Sequence, residues 1–322
     1  MERTKSTQAS KDEKATATTP RSEYVHGAPK VNPFKIASFD RPRTLENRKV
    51  VVLLRNGERM DRVFPEWLSV NFTDAGEYKP TDLNQPVELV KRPGGLADYV
   101  DDAPITEIGN LTGQVLGRAI RLHDVWPLSR VYCSPALRCV QTAAAFVKGL
   151  NKPIKICVEP GLFDWCRWYK TMPALLPAED LIRAGMPIDT SYAPIRRADE
   201  LGGLVGQETL ADFYARIRKV MDGITGEPGS NRVAVMCHAT TLDAAIKALR
   251  RATSAAVTEA DAVRLGLHYP YGTVVALAQD RQAWSFVHQP IAPMSYLGIS
   301  NRADAKFINQ TTRAKYVAKY DL

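Results

Sequence analysis

One stretch, residues 50–61, constrains the fold of this chain more than any other. It reads V-V-V-L-L-R-N-G-E-R-M-D, an apolar run that ends abruptly in the polar segment Arg55–Arg59. A continuous apolar run of this length, rich in β-branched residues, predicts a strand that is buried on both faces. Gly57 lets the backbone approach a ligand closely, and arginines offer planar donors that suit phosphate. We therefore expect an anion site where this strand ends.

Two further predicted strands end in residues that suit the same chemistry. One covers 130–133 and leads into Ser134–Arg138, and the other covers 232–237 and leads into His238. Segments with helical periodicity alternate with the strands along the chain. This alternation predicts an α/β fold of three layers, α/β/α, with a mainly parallel sheet and helices on both faces. Ligands bind such sheets beyond the carboxyl ends of the strands, so the three motifs should meet at one edge.

Local signals place the starts and the faces of the helices. Ser134 is a good N-cap and Pro135 suits the first helical position, so a helix should begin there. Thr240 or Thr241 should cap a later helix in the same way. The apolar face of a helix over residues 106–123 should consist of Leu111, Val115, Ala119 and Leu122.

Composition divides the chain into three parts. Residues 1–45 are rich in Ser, Thr, Ala, Lys and Pro and poor in large apolar residues, which predicts a disordered polar tail. Residues 46–290 carry the strand and helix patterns of one domain, interrupted by long proline-containing excursions over 58–105 and 160–206. Residues 291–322 are mostly polar and should form a C-terminal tail.

Charge and cysteine content indicate which classes of partner and which cellular compartment to expect. A net charge of +8 favours anionic partners, but the basic residues are scattered, without zinc-finger spacing or an RNA-binding aromatic motif, which disfavours nucleic acid. The 5 cysteines are odd in number and irregularly spaced, which argues for a reducing compartment. The N-terminus lacks the apolar run of a signal peptide, and no apolar run approaches about 18 residues. We therefore expect a soluble, cytoplasmic protein with no membrane partner.

Four blocks of sequence together resemble a known family. R-N-G-E-R, C-S-P-A-L-R-C-V-Q-T-A, E-P-G-L-F-D-W and C-H-A-T-T-L-D resemble the histidine phosphatase, or phosphoglycerate mutase-like, superfamily. Within it, the resemblance is closest to the phosphatase domain of the TULA proteins, which suppress T-cell receptor signalling, and extends to ecdysteroid-phosphate phosphatase. It runs from about Lys49 to Pro290. The ubiquitin-associated and SH3 modules of vertebrate relatives are not expected here, because the N-terminal tail is too short to hold them.

The resemblance implies a phosphate-binding role for four residues and no cofactor. Arg55, Arg59 and Arg138 would bind phosphate oxygens, and His238 would be the second histidine, which stabilises the transferring phosphoryl group. The family chemistry needs no metal, and the five histidines lack metal-ligand spacing. Close relatives pair through this domain, so the resemblance also implies a homodimer.

Two positions depart from the family pattern. The family accepts the phosphoryl group on a histidine, and that position is Asn56 here. Asp164 falls where close relatives place a glutamate general acid, and its side chain is one methylene shorter. An amide is not nucleophilic at neutral pH, although it can still donate a hydrogen bond to phosphate. As an alternative for the local structure, Asn56-Gly57 fits a type I′ turn, but no returning strand follows it.

No cysteine replaces the missing nucleophile in a recognised motif. Cys133 and Arg138 are separated by four residues, whereas cysteine phosphatases, by family resemblance, use five. Cys237 precedes His238 on a strand, where neighbouring side chains point to opposite faces. We therefore interpret both cysteines as core residues.

These observations predict a pseudophosphatase, a domain that binds a phosphorylated small molecule or phosphoprotein without efficient turnover. The alternative is an active phosphomonoesterase or protein-tyrosine phosphatase of the same family, in which Asn56 is bypassed or is an engineered replacement. A basic adaptor that acts through its tails is a third interpretation. The aromatic residues Trp165, Trp168 and Tyr169 either cover an aromatic or steroid phosphate or pack the second excursion onto the sheet.

Overall fold

The computed structural model describes residues 48–123, 127–251, 258–288, 290–296, 299–300 and 304–308. The disordered tail predicted over residues 1–45 lies outside the described residues. Within these ranges, no helix is both long and apolar enough to cross a membrane.

A six-stranded mixed sheet forms the centre of the domain. Its strands lie in the order β3-β2-β4-β1-β5-β6. The first four are parallel to one another, and the last two form an antiparallel pair beside β1. The predicted mainly parallel sheet is therefore confirmed, with an antiparallel edge. The bounds are β1 Val50–Arg55, β2 Arg130–Cys133, β3 Ile156–Val158, β4 Arg232–Cys237, β5 Val274–Asp280 and β6 Ala283–Phe286.

Helices cover both faces of the sheet. On one face, Val50, Val52 and Leu54 of β1 share an apolar cluster with α3 and α4, and on the other Val51 and Leu53 share one with α7, α8 and α9. Burial on both faces explains why the first five residues of β1 are all apolar. The bounds are α1 Met60–Val63, α2 Trp67–Val70, α3 Glu107–His123, α4 Leu137–Leu150, α5 Ala178–Arg183, α6 Ala198–Gly202, α7 Leu210–Gly226, α8 Ala239–Arg250 and α9 Glu259–His268.

Helix α3 contacts α4 through glycines, which corrects the predicted face. Leu111 is 60% exposed, whereas Leu116 and Ile120 are buried. A Cβ at Gly117 would lie 2.0 Å from the carbonyl oxygen of Phe146, so the two backbones approach closely. Because glycine carries no apolar side chain, an apolar pattern does not register this contact.

Two predicted helix caps are wrong. Helix α4 begins after Ala136, which has no side-chain capping bond, and α8 begins directly after His238. The hydroxyl of Ser134 instead lies 2.8 Å from the His238 ring, and the hydroxyl of Thr240 donates to Asp164. Both hydroxyls bond site residues rather than helix ends.

Part of the predicted C-terminal tail packs against the domain. Beyond Pro290 the structure describes β7 (Ser295–Tyr296), its partner β8 (Ile299–Ser300) and α10 (Ala305–Ile308). The Phe307 ring stacks on that of His268, with centroids 3.9 Å apart.

Candidate functional site

The carboxyl ends of neighbouring strands bring the predicted motifs together. In the register of β1 with β4, Arg55 lies opposite Cys237. The backbone N–H of Asn56 donates to the Cys237 carbonyl at 2.9 Å, so Asn56 and His238 leave adjacent strands side by side. On the far side of β4, Ser134 follows β2 and its hydroxyl contacts the His238 ring.

A cavity of about 430 Å³ opens at this edge of the sheet. Five of the six predicted site residues line it, namely Arg55, Asn56, Arg59, Asp164 and His238. The sixth, Arg138, is completely buried and does not line the cavity. Trp168, which the sequence offers as a cover for an aromatic or steroid phosphate, and Thr240, which it offers as a helix cap, also line the cavity. Sequence reasoning missed the remaining lining residues, which are Arg62, Ala239, Ala262, Val263, Gly266 and Tyr271.

Arg138 is a fixed cation behind the cavity wall. Its Nη2 lies 3.1 Å from the Tyr169 hydroxyl, 3.3 Å from His238 Nδ1 and 3.6 Å from Asp164 Oδ2. Its Nε and Nη1 have no hydrogen-bond partner among the described residues. Burial alone lowers the pKa of Arg138, but Tyr169, Cys139, Asp164 and Asp102 outweigh burial and raise it. The guanidinium therefore stays charged and keeps donors for an anion that reaches it.

Arg55 is held from the opposite side by helix α9 and the loop that follows it. Its Nη1 donates to the carbonyl of Gly266 at 3.0 Å and to that of Tyr269, and its guanidinium lies 4.1 Å from the centre of the Tyr271 ring. Burial lowers the pKa of Arg55 to about 10, so the side chain is charged at neutral pH. These contacts fix one face of the guanidinium, while its Nε has no hydrogen-bond partner in the part of the chain that the structure describes.

Arg59 is engaged by a neighbouring carboxylate. Its Nε and Nη2 donate to the two carboxylate oxygens of Asp61 at 2.8 and 2.6 Å. This two-point pairing is the geometry in which a guanidinium binds a carboxylate or a phosphate. A phosphate that binds Arg59 must therefore share it with Asp61.

His238 is buried and neutral. Burial lowers its pKa to about 3, with Arg138, Arg59 and Arg55 acting in the same direction and Asp164 opposing them. Because Arg138 can only donate, His238 Nδ1 is assigned as the acceptor of their 3.3 Å contact. His238 Nε2 then carries the proton and donates to the Ser134 hydroxyl at 2.8 Å. A neutral ring can donate to a phosphoryl oxygen only after this bond rearranges.

Asp164 is an ionised carboxylate at the cavity wall. Burial alone raises its pKa, but the charge of Arg138 and the hydrogen bonds from Thr240 and the Trp165 N–H act against burial, and the pKa lies below its ordinary value. The Trp165 bond is 3.0 Å long. An ionised carboxylate cannot act as a general acid. A bound phosphate would raise the pKa of Asp164 by like-charge repulsion, which is the condition for the predicted acid role.

Arg216 holds the segment that carries Asp164. Its Nη1 donates to the carbonyls of Gly161 and Phe163 at 2.8 and 3.0 Å, and its Nη2 donates to that of Asp164 at 3.1 Å. Glu208 accepts from the same guanidinium at 2.7 Å. Arg216 lies within α7, and the apolar periodicity of that helix gives no sign of a buried arginine.

A second buried ion pair lies behind Arg138. Asp102 accepts from Arg92 Nη2 at 2.7 Å and from the N–H of Leu137, the first residue of α4, also at 2.7 Å. The other guanidinium, that of Arg138, has its Nη1 3.8 Å from Asp102 Oδ1. Both Arg92 and Asp102 belong to the first excursion, which is thereby anchored to the start of α4. No sequence pattern pointed to either residue.

The other nucleophilic side chains near the ring are shielded. Cys139 Sγ lies 3.6 Å from His238, but burial raises its pKa to about 12. Burial raises the pKa values of Cys133 and Cys237 well above the usual range, which supports their assignment to the core. The His238 ring lies between Ser134 and Asp164, with Nε2 2.8 Å from the Ser134 hydroxyl and Nδ1 3.5 Å from Asp164 Oδ2, an order of residues that resembles a hydrolase triad. Ser134 is nevertheless completely buried and does not line the cavity.

The aromatic residues of the second excursion divide into two groups. Trp165 is buried and its indole N–H donates to the Glu208 carbonyl, and Tyr169 packs on Phe163. Trp168 is 44% exposed and lines the cavity. Packing therefore accounts for Trp165 and Tyr169, and only Trp168 is placed to contact a ligand.

Comparison with known families agrees with this geometry. Residues 93–289 match the histidine phosphatase superfamily (branch 1), a span that includes Arg138, Asp164 and His238. The chain belongs to the histidine phosphatase superfamily. The resemblance predicted from the motifs is confirmed. The matched span begins after the Arg55–Arg59 segment.

Individual relatives extend the similarity over most of the chain. Human ubiquitin-associated and SH3 domain-containing protein B is 34% identical over 275 residues, which cover 83% of this chain and 41% of that protein. The ecdysteroid-phosphate phosphatase of Drosophila melanogaster is 31% identical over 255 residues, which cover 78% of this chain and 33% of that protein. The chain thus spans less than half the length of these curated histidine phosphatase relatives.

A solved structure supports the fold. The crystal structure of the ecdysone phosphate phosphatase of Bombyx mori in complex with tungstate superposes with a TM-score of 0.66 at 31% identity. The alignment covers 77% of this chain and 95% of that one. The predicted phosphoglycerate mutase-like α/β architecture is confirmed. Among the residues described for this histidine phosphatase domain, no group of three or more His, Cys, Asp or Glu side chains is arranged to hold a metal ion.

Proposed function

We propose that this domain is a pseudophosphatase, which binds a phosphorylated small molecule or phosphoprotein and does not turn it over efficiently. The observation that carries the proposal is the position of Asn56. Its side chain is only 2% exposed, lines the cavity beside His238, and donates from Nδ2 to the Gly57 carbonyl at 2.9 Å. An amide therefore stands where the family resemblance calls for a nucleophilic histidine.

The chemistry of the amide group supports the absence of efficient turnover. The lone pair of an amide nitrogen is delocalised into the carbonyl, so Asn56 cannot attack phosphorus as an imidazole does. In an unrelated hydrolase, removal of the nucleophile lowers kcat by about 10⁶-fold. We expect a loss of similar order here, relative to the same chain with histidine at this position.

The charges around the cavity support retained binding. Arg55 and Arg59 line it, and Arg138 lies behind His238 and Asp164 with two donor atoms that make no hydrogen bond to the described residues. A structural relative that was solved with tungstate, an oxyanion, shares this fold. By that analogy we extend oxyanion binding to this cavity, with the amide of Asn56 available as one further donor.

An active phosphatase is the second candidate, because the lining holds a carboxylate, that of Asp164. The ionised Asp164 accepts from the Thr240 hydroxyl, and both residues line the cavity. In this route an Asp164 oxygen would attack phosphorus while the bond to the leaving alkoxide breaks, and water would then hydrolyse the acyl phosphate. An engineered Asn56 in an otherwise active enzyme leads to the same class of activity.

Hydrolysis of p-nitrophenyl phosphate separates these candidates. We expect the chain to be inert, Asn56→His to gain turnover, and Asn56→His/Arg138→Ala to lose that gain. Turnover by the unmodified chain that disappears in Asp164→Asn would instead establish the carboxylate route. If Asn56→His is also inert, while tungstate still binds, the loss of catalytic geometry extends beyond residue 56.

Two further expectations accompany the proposal. All five cysteines are buried and unpaired, which supports a reducing compartment such as the cytoplasm. A homodimer remains a proposal that rests on the family resemblance. Light scattering coupled to size-exclusion chromatography on the full chain tests it directly, and a single monomeric mass at micromolar concentration would reject it.

A further inference from the structure

The cavity extends beyond the space that a phosphate group needs. Pockets of roughly 300–1,000 Å³ accommodate drug-sized ligands, and this one measures about 430 Å³. Asn56, His238 and Asp164 form its inner end, since each is almost completely buried. The outer end is lined by Arg62, Trp168 and Val263. Neither the predicted motifs nor the proposed phosphate site assigns a role to Arg62 or Val263.

Arg62 is a cation whose charge is available to a ligand. It is exposed, and among the described residues its guanidinium has no hydrogen bond, ion pair or aromatic partner. The two other arginines that line the cavity differ, because Arg59 pairs with Asp61 and Arg55 donates to backbone carbonyls. An anionic group at the outer end would therefore find Arg62 without competition from a carboxylate of the chain.

The other two residues at the outer end are apolar. Trp168 is 44% exposed and Val263 is 70% exposed, although both line the cavity. The Trp168 ring packs edge-on against the buried Trp165, with ring centroids 5.4 Å apart, so its orientation is fixed from behind. A flat apolar group suits this wall, because aromatic rings pack favourably in offset or edge-on arrangements.

We infer that Arg62, Trp168 and Val263 form a second subsite, which selects aryl phosphate monoesters that carry an additional acidic group. The phosphate would occupy the inner end, the ring would contact Trp168 and Val263, and a carboxylate on the ring would pair with Arg62. This inference rests on the proposed function and specifies its ligand class. A solvated Arg62 that takes no part in binding is the alternative.

Isothermal titration of the full chain tests the subsite with three probes: phenyl phosphate, 3-carboxyphenyl phosphate and 4-carboxyphenyl phosphate. An ion pair at a partly exposed site is worth up to about a fivefold change in affinity. We expect at least one carboxylated probe to bind about fivefold more tightly than phenyl phosphate at low salt. The gain should shrink as salt screens the pair.

Variants then assign the gain to Arg62. The measured quantity is the dissociation constant of phenyl phosphate divided by that of the tighter carboxylated probe. A ratio is needed because removal of a cation weakens the binding of every anion to some degree. Arg62→Gln should bring the ratio close to one, and Arg62→Lys should keep part of it. Arg218→Gln is the matched control, since Arg218 is exposed on α7 and does not line the cavity.

The outcomes separate this inference from the proposed function. If phenyl phosphate binds but neither carboxylated probe binds more tightly, the subsite is rejected while phosphate binding stands. The same holds if Arg62→Gln leaves the ratio unchanged. If phenyl phosphate, its carboxylated forms and tungstate all fail to bind, the proposed function is rejected together with the subsite.

Discussion

The substitution Asp102→Asn has an outcome that follows directly from the buried ion pair behind Arg138. The side chains of Asp102 and Arg92 are completely buried, and the closest oxygen–nitrogen distance between them is 2.7 Å. Asparagine can still accept from the N–H of Leu137, but its NH₂ group would then face the Arg92 guanidinium, which only donates. The substitution therefore leaves a buried cation without its counter-charge.

The expected magnitude is set by what Arg92 retains. Removal of one partner from a buried ion pair costs about 3–5 kcal/mol. Arg92 keeps hydrogen bonds to the carbonyls of Ala174 at 2.7 Å and Asp102 at 2.9 Å. We therefore expect a loss at the lower end, about 3 kcal/mol, which corresponds to a Tm lower by about 6–12 °C for a domain of this size.

Urea unfolding followed by circular dichroism measures this loss, and the neighbouring residue supplies the control. Asp101→Asn makes the same chemical change at an exposed position and should alter the free energy of unfolding by less than about 0.5 kcal/mol. The reasoning is refuted if Asp102→Asn and Asp101→Asn have the same stability. Equal m-values for the two variants would show that the comparison concerns the native state.

Three further predictions follow from other contacts. Gly117→Ala should destabilise the domain by about 1–3 kcal/mol in thermal unfolding, because the added methyl group overpacks the contact of α3 with α4. Gly202→Ala should not destabilise it, because the space around Gly202 is open. Equal effects of the two substitutions would contradict the close contact of α3 and α4. Folding lowers the pKa of His238 from 6.5 to about 3, so between these pH values the unfolded state binds one more proton than the folded state. The free energy of unfolding should therefore drop as the pH falls below about 6.5, by up to about 1.4 kcal/mol per pH unit. His238→Gln should remove this pH dependence. Thr240→Val removes a hydrogen bond that lowers the pKa of Asp164, whereas Thr240→Ser keeps a hydroxyl for it. Tungstate affinity should rise on acidification, because Asp164 loses its negative charge, and the rise should begin at a higher pH in Thr240→Val than in Thr240→Ser. Identical pH profiles of the two variants would argue against that hydrogen bond.

The sequence determined the strands and the residues at their ends. Strands β2 and β4 have the predicted bounds. The apolar pattern predicts β1 over residues 49–54, and the observed strand runs from Val50 to Arg55. These segments are continuous apolar runs, so their burial does not depend on which neighbour they meet. The parallel sheet then forces their carboxyl ends to one edge, which is why the juxtaposition of Asn56 with His238 could be predicted.

Only the tertiary structure decided which partners the polar side chains take. Ser134 and Thr240 read as helix caps in the sequence, but each donates or accepts across the site over a long separation in the chain. The glycine contact between α3 and α4 also escaped prediction, because it depends on the approach of two backbones. Local propensity shows which hydrogen bonds a side chain is able to make with its own backbone. Which hydrogen bond forms depends on the competing partners that folding brings near.

The identity of residue 56 needs no structure, because the sequence alone places an amide after a buried strand that leads into an arginine-rich segment. The consequences of that amide do need it. Folding brings Asn56, Arg55, Arg59, Asp164 and His238 to one cavity and seals Arg138 behind it. It also leaves Arg62 without a hydrogen bond or ion pair among the described residues. The one carboxylate that lines the cavity, that of Asp164, is held by Thr240 and the Trp165 N–H. Charge and residue type are local properties, whereas the pairing of charges depends on distances that only the packed chain fixes.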